Sequence, residues 1–147
     1  MSVETGHISA PVATHLSPET IFRDLSAIVG PRAVLCQPED LLLYEYDGSV
    51  ERATPLAVAL PATKEEVVAL VKWARDNDVV IVPRGAGTGL SGGAVAIRGG
   101  LMIGFARMKK IVSIDIENER AVVQPGVVNL DLSAEVAAAG YYYVPDP

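Results

Sequence analysis

The chain contains 147 residues, of which 50% are hydrophobic and 20% are charged, and its net charge is −6. This composition excludes a disordered or highly charged tail protein, and the length suits one globular domain or part of one. The acidic excess gives no general reason to bind nucleic acid, whose affinity comes largely from basic side chains that neutralise phosphates.

Residues 1–16 show neither helical nor strand periodicity and are predicted to form a flexible tail. A helix is predicted to follow, because Ser17 is suited to cap it, Pro18 suits its first turn, and Gly30 with Pro31 would end it. An apolar stripe at helical spacing supports this prediction, formed by Ile21, Leu25, Ile28 and Val29. Residues 17–147 are predicted to form a single, incomplete domain.

Between residues 37 and 77 the pattern changes from irregular to strand and then to helix. Residues 37–46 are predicted to be a short helical or irregular stretch that ends in a polar turn at residues 47–49. Residues 56–60 form an apolar run typical of a buried strand, which Pro61 ends. Thr63 and Glu66 then fit a capping box, so a second helix is predicted to extend to Asn77 and Asp78.

Residues 79–82 form a β-branched run that predicts a fully buried strand. Strand, helix and strand in this order predict a right-handed βαβ unit with two parallel strands. A Gly-rich segment at residues 83–93 leaves the carboxyl end of the second strand, which is where open α/β sheets place ligands.

The elements beyond this segment are short. Residues 101–105, 111–116 and 120–124 are predicted to be three strands, whose short connections favour antiparallel pairing. Residues 129–139 predict a helix of small residues that ends at Gly140, and residues 141–147 are predicted to be extended. The predicted fold class is α+β, with a small parallel βαβ unit followed by the start of a mixed or antiparallel unit.

The Gly-rich segment, residues 83–93, contains five glycines among eleven residues. Residues 87–92 match the G-x-G-x-x-G pattern of a Rossmann dinucleotide site, but that site needs a helix after the last glycine, and residues 93–100 are too short and too Gly-rich to form one. A Walker loop is excluded because no Gly-Lys-Ser/Thr follows the spaced glycines. Successive glycines can instead direct backbone N–H groups into a concave anion site, with Thr88 and Ser91 as further donors.

The charge distribution favours an anionic ligand near the Gly-rich segment. Residues 79–114 contain no Asp or Glu and five basic side chains, namely Arg84, Arg98, Arg107, Lys109 and Lys110. The window therefore carries +5 and the rest of the chain −11. Three alternatives stay open: the charge segregation reflects chance and buried strands, the Gly-rich segment is a structural turn, and Arg84 lies at the surface or pairs with a carboxylate.

Several motifs occur in a fixed order, and together they resemble one family. They are Pro55-Leu-Ala-Val-Ala-Leu-Pro-Ala-Thr, the Gly-rich segment, Met108-Lys-Lys-Ile before Ile114 and Asp115, Val123-Gln-Pro-Gly-Val-Val, and Tyr143-Val-Pro-Asp-Pro. Residues 31–147 thus resemble the vanillyl-alcohol oxidase, or PCMH-type, FAD-binding domain. Within that family the sequence is most similar to the group of D-lactate dehydrogenase, D-2-hydroxyglutarate dehydrogenase and the FAD-linked chain of glycolate oxidase.

The resemblance implies FAD as the cofactor, with its pyrophosphate held by the Gly-rich segment. The cofactor-binding residues it implies are Pro83, Arg84, Gly85, Ala86, Gly87, Thr88, Gly89, Ser91 and Gly92, with Pro145 and Asp146 entering the stretch beside the flavin. Some relatives attach FAD covalently through a loop His or a Cys, and this segment contains neither, so noncovalent FAD is expected. Cys36 is expected to be a buried or neutral thiol, and no metal site is predicted.

For the full-length protein the resemblance implies oxidation of a small 2-hydroxy acid, of the glycolate or D-lactate type, by hydride transfer to flavin. It also implies an iron–sulfur or other electron-transfer subunit as partner. Members of the family continue with the rest of the FAD domain and a substrate domain, so the chain is expected to be an N-terminal fragment without catalytic residues. It is expected to be inactive alone and to bind FAD weakly or not at all. The alternatives are a noncatalytic or split-subunit FAD-binding module and an oxidase of the same fold for another substrate.

Localisation follows from what the sequence lacks. Residues 1–14 have neither the basic nor the apolar region of a signal peptide, and no run of about 18 apolar residues occurs later. Cys36 is the only cysteine, so no internal disulfide is possible. We therefore predict no membrane span and a cytoplasmic protein, with peripheral attachment of the full-length complex at the inner membrane as the alternative.

Overall fold

The structure is a computed structural model that describes residues 15–144. Its helices are α1 (Pro18–Val29), α2 (Pro38–Leu41), α3 (Lys64–Asp76) and α4 (Asn129–Val136). Its strands are β1 (Val34–Leu35), β2 (Ala57–Ala59), β3 (Ile81–Arg84), β4 (Leu101–Gly104), β5 (Ile111–Asp115) and β6 (Arg120–Val123). Short 3-10 turns flank three of the helices, at Pro31–Ala33, Leu42–Tyr44 and Ala137–Ala139. Most of the predicted tail lies outside the described residues.

Two sheets organise these elements. The larger sheet has the strand order β1-β2-β4-β3, in which β1 is antiparallel to β2 and the other neighbours are parallel. The smaller sheet is the antiparallel hairpin β5-β6, as predicted for these two strands. The element content is α+β with a mixed sheet, as expected from the sequence.

The core lies on both faces of the larger sheet. Helices α1 and α3 cover one face, where Leu25 and Leu70 pack against Ala57 and Ile103. On the opposite face Val58 and Met102 pack against Leu41 and against Ala96 from the connection between β3 and β4. Alternate residues of β2 and β4 point to opposite faces because the side-chain period of a strand is two.

Two strand predictions are wrong. Residues 101–105 were expected to pair in an antiparallel manner with the following strands, but β4 instead lies between β2 and β3 and is parallel to both. Its residues are all buried, which suits a central strand. The expectation failed because residues 85–100 are long enough to form the crossover that a parallel neighbour needs, even without a helix.

The second correction concerns β3. It was expected at residues 79–82 and fully buried, but it begins at Ile81, occupies the edge of the sheet and exposes Pro83. Proline tolerates this position because an edge strand leaves some of its N–H positions unpaired. Strands β2 and β3 do run parallel as predicted, with β4 between them, and the two-residue strand β1 was not predicted at all.

Both long helices begin where their caps predict. The Thr20 N–H donates to Ser17 Oγ over 3.2 Å at α1, and the Glu66 N–H donates to Thr63 Oγ1 over 3.2 Å at α3. The capping box at α3 is modified, because the Glu66 side chain accepts from the N–H of Ala62, at 2.6 Å, rather than from that of Thr63. No helix within residues 15–144 is long and apolar enough to cross a lipid bilayer.

We expect Thr63→Ala to lower the free energy of unfolding by about 1 kcal/mol, since it leaves the Glu66 N–H without its acceptor. Chemical denaturation monitored by circular dichroism measures this effect. Lys64→Ala is the matched control. Lys64 is the next residue in the same turn, and its side chain is exposed. Equal stability of Thr63→Ala and Lys64→Ala would show that the cap does not hold the start of α3.

Candidate functional site

The Gly-rich segment begins at the end of β3, on the carboxyl side of the parallel strands, and leads to β4. Residues 85–100 contain no helix, so the reason for rejecting a Rossmann site is confirmed. Residues 85–91 are exposed, apart from half-buried Gly87. An exposed loop at this end of a sheet is accessible to a ligand.

The backbone donors of this loop are not used by the protein. From Gly85 to Gly92, no backbone N–H donates a hydrogen bond to any described residue. The next donor along the chain that is used is the Ala94 N–H, which lies 3.4 Å from Asp47 Oδ2. Backbone N–H groups nearly always find a partner, either in the protein, in water or in a ligand. A continuous run of unused donors is therefore suited to an anion.

The side chains of the loop add donors and leave space. Neither the Thr88 nor the Ser91 hydroxyl makes a hydrogen bond within the described residues, and both are exposed. A Cβ atom added at Gly85 or at Gly89 would meet no protein atom within 4 Å. A ligand can therefore approach the backbone closely at both glycines.

The Arg84 side chain lies beneath the loop, on the side that faces the protein, and not on the exposed side. It is only 7% exposed, and its Nη1 donates to the Tyr46 carbonyl oxygen at 2.7 Å and to that of Ala94 at 3.4 Å. Its guanidinium carbon lies 5.6 Å from the ring centre of Tyr44, a cation–π distance. The sequence left open a surface position or a carboxylate pair for Arg84; instead, this side chain is buried and bound to carbonyl groups.

Gly87 packs directly over this guanidinium. Its backbone φ is +75°, a value that residues other than glycine rarely adopt. A Cβ atom there would collide with Nη2 and Cζ of Arg84 and lie 2.8 Å from Nε. Position 87 therefore accepts only glycine while Arg84 keeps its place.

The turn at residues 47–49 contacts the Gly-rich loop. Asp47, 7% exposed, accepts from the N–H of Ser49 at 2.8 Å through Oδ1 and from the N–H of Ala94 at 3.4 Å through Oδ2. The hydrogen bonds from Ser49, with smaller effects of the Ala94 N–H and the Arg84 charge, hold the pKa of the Asp47 carboxyl below its ordinary value. The Gly48 N–H donates to the Gly89 carbonyl oxygen at 2.9 Å.

The predicted site residues differ in their exposure and in their place in the fold. Gly85, Ala86, Thr88, Gly89 and Ser91 lie exposed on the loop, while the Arg84 side chain and Gly92 are buried and Gly87 is half-buried. Pro83 belongs to β3 and is exposed. Pro145 and Asp146 lie outside the described residues, so their predicted place beside the flavin stays a prediction.

Sequence reasoning missed Asp47 and Gly48, which it interpreted as turn residues. They do form a turn, but they also contact the Gly-rich loop about 40 residues later in the chain. The Asp-Gly-Ser sequence signals the turn and carries no signal of its distant contact. Of the five basic residues in the window, Arg107 donates to the Leu60 carbonyl oxygen at 2.8 Å, and Arg98, Lys109 and Lys110 are exposed.

Comparison with known proteins gives a consistent result. A family model described as an FAD binding domain matches residues 55–147. Glycolate oxidase subunit GlcD of Escherichia coli (strain K12) is 45% identical over 115 residues, which are 78% of this chain and 23% of that protein. D-lactate dehydrogenase of Anaerostipes hadrus is 42% identical over 96 residues, which are 65% of this chain and 20% of that protein.

A solved structure has the same fold. That of p-cresol methylhydroxylase with substrate bound matches with a TM-score of 0.76 at 25% identity, over 89% of this chain and 27% of that chain. The chain therefore spans about a quarter of the length of the proteins it matches.

Proposed function

We propose that this chain, which belongs to the FAD binding domain family, binds the pyrophosphate of FAD with the backbone of its Gly-rich loop. FAD is the cofactor of that family, and the chain has the PCMH-type fold. The observation that carries the proposal is the run of unused N–H donors from Gly85 to Gly92.

The loop suits a pyrophosphate in three respects. Its unused N–H groups can each donate to a phosphate oxygen, and the hydroxyls of Thr88 and Ser91 can add two further hydrogen bonds. Gly85 and Gly89 leave space for phosphate oxygens beside the backbone. The positive charge of Arg84 lies just beneath Gly87, so it contributes an attractive field without touching the anion.

The names of the relatives support a proposed substrate class. Their names specify glycolate and D-lactate, which are both small 2-hydroxy acids. We propose that the full-length protein oxidises such an acid, and that FAD supplies the hydride-accepting chemistry when it is bound. Within residues 15–144 the contribution of this chain is to bind and orient the cofactor, and we assign no catalytic residue. GlcD is named a subunit, so an electron-transfer partner chain is part of the proposal.

Titration calorimetry of the 147-residue chain tests the cofactor site. ADP carries the pyrophosphate and AMP does not, so we expect ADP to bind about tenfold more tightly than AMP at equal ionic strength. Both titrations are repeated at higher salt, because contacts with an anion weaken as salt screens them. Equal binding of ADP and AMP would contradict a pyrophosphate site in the loop.

The substrate is tested separately on the FAD-loaded holoenzyme under anaerobic conditions. We expect glycolate or D-lactate to bleach the absorbance of the oxidised flavin, with L-lactate as the stereochemical control. Bleaching by none of these acids would overturn the substrate class while leaving the cofactor site intact.

A further inference from the structure

We infer that Asp47 and Gly48, together with Arg84, are positioning residues of this site, and this inference rests on the proposed function. They hold the Gly-rich loop from its buried side, so that its N–H groups face outward for the ligand. The site thus depends on a turn that precedes it by about 40 residues.

The hydrogen bonds of the loop fix the direction of its peptide groups. In a trans peptide the C=O and N–H point in opposite directions, and the described chain has no cis peptide. The Gly89 carbonyl oxygen accepts from the Gly48 N–H, so this peptide group points its carbonyl toward the turn. The N–H of the same group, which belongs to Leu90, therefore points away from the turn.

The carbonyl groups at both ends of the loop are also bound to the protein. The Arg84 carbonyl oxygen accepts from the Phe105 N–H at 3.0 Å, so the Gly85 N–H points away from β4. The Gly92 carbonyl oxygen accepts from the Val95 N–H at 3.1 Å and closes the far end. Carbonyl oxygens, which repel a phosphate, are thus bound to the protein at three points.

Asp47 and Arg84 both bind the backbone of Ala94, the residue that follows the Gly-rich loop. Asp47 Oδ2 accepts from the Ala94 N–H, and Arg84 Nη1 donates to the Ala94 carbonyl oxygen. Arg84 Nη1 also donates to the Tyr46 carbonyl oxygen, which joins the turn to the loop. The bond to Tyr46 is short, at 2.7 Å, whereas the two bonds to Ala94 are long, at 3.4 Å, so Tyr46 is the stronger of the two attachments.

The packing at Gly48 shows how closely the turn approaches the Gly-rich loop. A Cβ atom there would lie 2.8 Å from the Thr88 carbonyl oxygen and 2.9 Å from that of Gly89. No side chain at position 48 fits without moving the Gly-rich loop. The contact therefore sets the position of the loop as well as its hydrogen bonds.

Asp47→Asn tests the inference, because the N–H groups of Ser49 and Ala94 donate to different carboxylate oxygens and asparagine replaces one of these oxygens with an NH₂ donor. We expect the amides of residues 85–92 to become mobile in ¹⁵N relaxation of the ligand-free chain, and ADP to bind about tenfold more weakly. Gly48→Ala, a second variant, should displace the loop and give the same two changes. Glu45→Gln is the control, since it removes the charge of Glu45 from an ion pair with the exposed Arg52 side chain in the same region.

A purely structural role would lower the thermal midpoint while leaving the ADP affinity of the folded chain unchanged. Loop amides in Asp47→Asn and Gly48→Ala that are as rigid as in the original chain, with unchanged ADP affinity, would overturn the inference. If the original chain binds ADP no more tightly than AMP, the proposed function fails. The relaxation data on the ligand-free variants then still decide whether the turn positions the loop.

Discussion

Gly87→Val is expected to abolish ADP binding and to lower the free energy of unfolding by about 2–5 kcal/mol. A non-glycine residue at a left-handed φ costs about 1–2 kcal/mol, and forcing a side chain into a packed space costs about 1–3 kcal/mol more. The collision is with the Arg84 guanidinium, which holds the carbonyl groups of Tyr46 and Ala94. The variant therefore damages the loop and its support together.

Chemical denaturation and calorimetry measure the two effects of Gly87→Val. The double variant Gly87→Val with Arg84→Ala separates them, because it removes the atoms that the new side chain strikes. Because Arg84→Ala also removes the hydrogen bonds to Tyr46 and Ala94, we expect the double variant to lose less stability than the sum of the two single variants and to recover no affinity for ADP. A Gly87→Val chain as stable as the original would contradict the placement of Arg84 beneath the loop.

Gly89→Val is expected to weaken ADP binding about a hundredfold without changing stability by more than about 0.5 kcal/mol. Its backbone is not in the left-handed region, and a Cβ atom there meets no protein atom within 4 Å. The added side chain therefore occupies space that only a ligand needs. A binding role for position 89 predicts a loss of ADP affinity without a loss of stability. A purely structural turn does not predict this combination.

Gly93→Val is the matched control for Gly89→Val. Position 93 is equally open and also outside the left-handed region, but it lies beyond Gly92, the last loop residue that the family resemblance assigns to the cofactor. We expect Gly93→Val to bind ADP with nearly the original affinity. Equal losses in Gly89→Val and Gly93→Val would mean that valine disturbs the loop in general, and equal retention would remove position 89 from the site.

Local signals in the sequence were sufficient for much of this fold. The caps at Ser17 and Thr63 and the apolar stripes behind them predict α1 and α3, since a helix is specified by its own residues. The spacing of the glycines and the lack of helical residues after them predict a loop without a helix. The motifs that resemble the PCMH-type domain identified the family, which the comparisons confirm.

Strand neighbours could not be predicted in the same way, because pairing depends on the whole sheet. The insertion of β4 between β2 and β3 leaves no local signal in residues 101–104, whose apolar character suits any buried strand. The buried position of Arg84 and the contact of Asp47 with Ala94 join residues far apart in the chain. Such contacts are decided by tertiary packing, which neither composition nor periodicity encodes.

The most direct measurement is the ¹H–¹⁵N amide spectrum of the 147-residue chain during titration with ADP, with AMP as the control ligand. If the loop binds the pyrophosphate, the amides of residues 85–92 shift most, downfield as for new hydrogen bonds to an anion, and AMP shifts them much less. Shifts that fall elsewhere in the chain, or that ADP and AMP cause equally, would contradict the central claim.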